Sequence, residues 1–189
     1  YEVPVGGGVP SGDVTVTVNL VDEEGEPVPN RPRAITELWV QSTRPSFELP
    51  RDLAQPREFT LGGRVDLLGY EVKPAVSAGD DMDVTVYWRA RQQMGTAYKV
   101  FVHLYDAEGE IVAQQDRMPG LGARPTTTWQ TGEIVADRYT IRLSSNTPAG
   151  QYRLVVGLYD PETQERLPVF GAGGERLGQD YVPLGRVEI

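Results

Sequence analysis

Alternation with a period of two dominates this chain and restricts it to β-structure. Val14, Val16, Val18 and Leu20 alternate with Thr15, Thr17 and Asn19. Val84, Val86 and Trp88 alternate with Thr85, Tyr87 and Arg89, and Tyr139, Ile141 and Leu143 with Thr140 and Arg142. Tyr152, Leu154, Val156 and Leu158 form a fourth row. Successive side chains on a strand point to opposite faces, so this pattern belongs to strands with one face on a core. Turn signals separate the rows: Glu23-Glu24-Gly25-Glu26, Ala78-Gly79-Asp80, Asp106-Ala107-Glu108-Gly109 and Pro148-Ala149-Gly150. No stretch of ten or more residues keeps a 3.6-residue apolar period free of Gly and Pro. The fold class expected is all-β: an immunoglobulin-like antiparallel β-sandwich with an N-terminal β-hairpin-like extension.

From about Phe59 onward eight strands are expected, at roughly 64–72, 82–90, 98–106, 110–117, 133–143, 151–160, 164–169 and 181–189. Lys99–Asp106 and Glu110–Gln115 read as a hairpin. Gly150-Gln151-Tyr152 reads either as a tyrosine corner, its hydroxyl bonded to an upstream backbone group, or as an ordinary core tyrosine.

The first fifty residues hold an internal echo. At an offset of 138, Tyr1–Asp22 matches Tyr139–Asp160 without a gap. The identical pairs are Tyr1/Tyr139, Pro10/Pro148, Gly12/Gly150, Val18/Val156, Leu20/Leu158 and Asp22/Asp160. Ala34–Val40 resembles the closing strand Val182–Ile189. Shared strand–turn–strand grammar is one explanation. The other makes residues 1–48 the closing strands of a preceding, truncated sandwich. Residues 49–56 are then a proline-bearing linker and 57–189 a complete domain. Half a sandwich carries unpaired edges, so residues 1–48 are expected to pack on the complete domain or to pair in a dimer. The chain begins at Tyr1 without methionine, which fits an excised piece of something longer.

Composition excludes several chemistries. The chain has no cysteine, so disulfides, thiolate nucleophiles and zinc–sulfur sites are out. One histidine, His103, rules out a multi-histidine metal site. Its place among Phe101 and Tyr105 on one strand face reads as a satisfied, half-buried imidazole. A net charge of −9 argues against nucleic acid. No stretch approaches the length of apolar sequence that spans a bilayer. No hydrolase elbow, phosphate-cradling loop or metalloprotease helix motif occurs, and no cofactor is expected.

Two groups remain as ligand candidates. Trp129, with Arg124 and Gln130, lies in a loop-like stretch where an indole can stack on a pyranose. The competing reading has Trp129 plugging the end of the sandwich. Asp80, Asp81 and Asp83 offer three carboxylates in five residues as calcium ligands, without the ordered spacing of a dedicated loop. Their competing reading is a charged turn that protects a strand edge.

An ordered series of short motifs carries a family resemblance. It runs through Gly69-Tyr70, Tyr98–Leu104, Gln114-Gln115-Asp116, Pro125–Trp129, Gly132-Glu133, Asp137-Arg138-Tyr139, Pro148–Tyr152, Gly157–Asp160 and Arg166–Val169. The series, over about residues 57–189, resembles the β-sandwich tail of bacterial family 39 glycosyltransferase-like polytopic membrane proteins (dolichyl-phosphate-mannose–protein mannosyltransferase-like). The resemblance implies a non-catalytic accessory domain outside the cytoplasm, held at the membrane through its parent protein. Its partners would be neighbouring domains of that protein. The alternative is a carbohydrate-binding module that assists a glycan-handling membrane enzyme. No catalytic residue is carried over, because the transferase machinery of such proteins lies in membrane helices.

Overall fold

The computed structural model describes the backbone of Gly12–Val18 and Arg33–Val40, and residues 44–51, 53 and 55–189 in full. The turn expected at Glu23–Glu26 and the side chain of Trp39 lie outside the described residues. The chain divides into two units, Tyr1–Arg44 and Pro45–Ile189.

In the first unit, β1 (Gly12–Val18) pairs antiparallel with β2 (Arg33–Val40). The second unit is built from β3 (Gln55–Leu61), β4 (Val65–Val72), β5 (Asp81–Ala90), β6 (Lys99–Tyr105), β7 (Ile111–Arg117), β8 (Ile134–Arg142), β9 (Gln151–Tyr159), β10 (Val169–Phe170) and β11 (Val182–Glu188). Two antiparallel sheets result, one of five strands in the order β10-β3-β4-β5-β8 and one of four in the order β11-β9-β6-β7. The alternating rows meet between them. Val84, Val86 and Trp88 from one sheet face Val100, Val102, Leu104, Leu154, Val156 and Leu158 from the other, all fully buried. This is the expected β-sandwich. The Tyr152 hydroxyl donates to the Pro148 carbonyl at 2.7 Å, the upstream backbone bond of a tyrosine corner. The expected hairpin forms as β6 and β7.

Two strand assignments need correction. Gln55 and Pro56, placed in the linker by the sequence, open β3 and pair with Tyr70 and Gly69 of β4. A register shift between Pro56 and Phe59 breaks the alternation that would have revealed the strand. The strand expected over 164–169 shrinks to a bridge between Arg166 and Tyr159 and the two residues of β10. Apart from a second bridge, Phe170 to Arg176, the rest of the connection from Asp160 to Tyr181 runs as turns and loop.

Candidate functional site

Trp129 is 1% exposed and belongs to the core. Its indole Nε1 donates to the Arg124 carbonyl at 2.9 Å, which satisfies the one polar atom the ring carries inward. Arg124 is also buried, its guanidinium bonded to Glu133, and burial holds that guanidinium below its ordinary pKa. The other Glu133 oxygen accepts the backbone N–H of Gln130 at 2.8 Å, while Gln130 itself is exposed. Trp129, Arg124 and Gln130 are thus brought together, but as the plug of the sandwich. The indole face is unavailable to a sugar, which corrects the stacking expectation for this trio.

The three aspartates are all exposed. Asp81 pairs with Arg142 at 3.2 Å. Asp83 pairs with Arg138 and accepts the Thr140 hydroxyl, each at 2.7 Å. Burial alone would raise the Asp83 pKa, but the bonds from Arg138 and Thr140 outweigh it and hold the carboxyl below its ordinary value. Among the described residues no group of three or more acids or histidines is placed to hold a metal ion. The aspartates of β5 are spent on arginines of β8, as the cross-strand register brings Asp81 opposite Arg142.

The outer face of the four-stranded sheet is chemically richer. Strand β6 turns Val100, Val102 and Leu104 to the core, and therefore Phe101, His103 and Tyr105 outward. Strand β9 sends Arg153, Val155, Gly157 and Tyr159 to the same outer side, with Gly157 opposite Phe101 and Arg153 opposite Tyr105. Strand β7 adds Asp116 opposite Phe101. Five rings then run in contact across the face. Tyr159 lies 6.3 Å from Phe101, Phe101 4.8 Å from His103, His103 6.0 Å from Tyr105, and Tyr105 6.2 Å from Tyr181. The last pair is stacked, with 27° between the planes. Two guanidiniums cap the row, Arg166 at 4.3 Å over Phe101 and Arg153 at 5.5 Å over Tyr105.

One carboxylate organises this layer. Asp116 Oδ1 lies 2.8 Å from His103 Nε2, and its charge also acts on the Tyr159 phenol. Burial, followed by the Asp116 charge, raises the Tyr159 pKa, so the phenol stays protonated. His103 Nδ1 faces the Tyr105 hydroxyl at 3.5 Å. Phe101 and His103 are buried beneath the layer, whereas Tyr105, Tyr159 and Tyr181 are half-exposed at its surface. The satisfied imidazole expected from the sequence is therefore found, more deeply buried than half.

Gly157 makes the layer possible. A Cβ there would overlap the Phe101 ring and stand 3.2 Å from the Asp180 carbonyl. Gly157→Ala is expected to cost about 1–3 kcal/mol through overpacking, because the buried ring has nowhere to retreat. A lowered urea midpoint with an unchanged denaturant slope would register it.

The five-stranded sheet carries a competing feature, an open cleft of about 720 Å³ lined by Phe59, Asp66, Arg89, Arg91, Ile134 and Phe170 among others. Three of its charged groups are tied to one another. Asp66 takes Arg89 at 2.7 Å and Arg91 at 3.2 Å, and the Thr60 hydroxyl at 2.8 Å. The aromatic face, by contrast, brings three half-buried tyrosines to the surface beside the exposed Arg153 and Arg166.

No protein-family model matches the chain, and no curated protein matches it. Among solved structures it is similar to the crystal structure of the C-terminal domain of Wzt, with a TM-score of 0.47 and 12% identity. The match covers 75% of this chain and 82% of that one.

Proposed function

We propose that the complete sandwich is a non-catalytic accessory domain of a larger membrane protein, exposed outside the cytoplasm, and that it binds glycan through its aromatic face. The accessory role is supported by the motif series over residues 57–189, and the site's groups point the same way. His103 is held by Asp116 and faced by Tyr105, so its nitrogens serve the packing of the layer. The observation that carries the binding reading is the row of rings ending in the stacked Tyr105–Tyr181 pair, with the Arg153 guanidinium beside it. A pyranose has an apolar face that seats on aromatic rings and a rim of hydroxyls that accept from cationic donors. The half-exposed tyrosines supply the first surface, and Arg153 and Arg166 supply the second.

A glycan array probed with the chain, followed by calorimetric titration of the strongest hit, tests the reading. Tyr105→Ala and Tyr181→Ala are each expected to weaken binding about tenfold or more, equivalent to about 1.4 kcal/mol. Trp129→Phe should leave affinity unchanged, because the indole sits in the core. An array without binding, or tyrosine variants that bind as well as the parent, would remove the glycan from the proposal and leave the accessory role.

A further inference from the structure

The pairing of β1 with β2 repeats, residue for residue, the pairing of β9 with β11. At the offset of 138, Gly12 corresponds to Gly150 and Val18 to Val156. Gly12 lies opposite Val40, as Gly150 exchanges backbone bonds of 2.9 and 3.0 Å with Ile189. Asp13, Val14 and Thr15 lie opposite Trp39, Leu38 and Glu37, as Gln151, Tyr152 and Arg153 lie opposite Glu188, Val187 and Arg186. The register then slips at the same place in both. Val16 pairs with Thr36 and Thr17 with Ala34, passing over Ile35; Leu154 pairs with Gly185 and Val155 with Pro183, passing over Leu184. A bulge is a positional device that marks related strands, and shared strand–turn grammar gives no reason for it to fall at one matched pair out of seven. The sequence match does not presuppose the pairing, so the two observations are independent.

In the complete sandwich β9 is not an edge. It lies between β11 and β6, with Val156 opposite Val102, Val155 opposite His103 and Leu154 opposite Leu104. Among the described residues β1 pairs with β2 alone. A two-stranded ribbon is marginal by itself, and its open edge is a template for another strand. We infer that the β1–β2 hairpin is the closing strand pair of a second sandwich of this type. The far edge of β1 then receives a β6-like strand from residues that precede Tyr1 in the parent protein. That strand runs antiparallel to β1, its counterparts of Val102, His103 and Leu104 opposite Val18, Thr17 and Val16.

The test compares hydrogen exchange in the 189-residue chain and in the same protein extended upstream along its natural sequence by one sandwich, about 100 residues. Residues 12–18 are expected to exchange at least tenfold more slowly in the extended protein, while 151–156, already flanked by β6, do not change. The absence of cysteine permits a check of register. Thr17→Cys should form a disulfide with a cysteine at the upstream counterpart of His103, and not with one shifted by a single residue. Equal exchange of 12–18 in the two proteins would overturn the inference. So would protection of 12–18 in the short chain through a dimer, which would make a second copy the occupant.

Discussion

Asp137→Ala is expected to destabilise the sandwich by about 3–5 kcal/mol, because it strands a buried cation. Asp137 is fully buried on the inner face of β8. Its carboxylate accepts the Gly120 N–H at 2.9 Å, the Tyr139 hydroxyl, and Arg117 Nη1 at 3.4 Å. Arg117 comes from the inner side of β7, its guanidinium 4.2 Å over the Tyr139 ring and bonded to the Arg138 carbonyl. Removing the carboxylate leaves the Gly120 N–H and the Tyr139 hydroxyl without their acceptor and the Arg117 charge without its counterion. Chemical unfolding of the variant measures the loss. The pair also has a pH signature. Burial raises the Asp137 pKa, partly offset by Arg117 and the hydrogen bonds, so the folded value lies above that of the unfolded chain, about 3.9. The native state then holds more protons than the unfolded one in the window above about pH 3.9. Stability contributed by this group is present below that window and declines as pH rises through the folded value. Asp137→Asn removes the titration, so the gap in stability between parent and variant should narrow across the window as pH rises. A gap that widened with pH would contradict the raised value.

Trp129→Ala is expected to cost a similar amount, about 3–5 kcal/mol. The ring is 1% exposed, and its loss opens a cavity at the end of the sandwich. The backbone around it is tied too closely to collapse inward. Thr126 Oγ1 accepts the Tyr98 N–H at 2.9 Å and donates to the Thr96 carbonyl at 2.8 Å. Glu133 spans Arg124 and the Gln130 N–H. The measurement is again the urea midpoint. A cost below about 1 kcal/mol would mean that the loop carries its own order without the indole.

Strands with one face on the core and no interruption were legible in the sequence. Val84–Trp88 and Tyr152–Leu158 alternate cleanly, and they became β5 and β9. Strand β3 was not, since Pro56 and the register shift before Phe59 hide its period. The aromatic face was half legible. Phe101, His103 and Tyr105 share a face by counting, but Tyr159 and Tyr181 join them only through the β6–β9 ladder and the connection that leads into β11. The polar groups inside the sandwich were not legible at all. Asp137, Glu133 and Arg124 look like surface residues in a list of letters. Their burial depends on partners that no periodicity announces, and on loop residues that fold back over the sandwich end. Of the two readings of Trp129 the structure bears out the plug, since its indole turns into the core and bonds the Arg124 carbonyl, while the polar residues beside it bond to one another.

The connection between Val18 and Arg33 is shorter than the one between Val156 and Val182, although the strands on either side keep the same register. In the complete sandwich it is this stretch that delivers Arg166 and Tyr181 to the outer face. Two sandwiches built on one frame would therefore differ in what lies across that face. If the inferred second sandwich exists, the two units would carry different outer faces through a change of loop length alone, with no strand displaced.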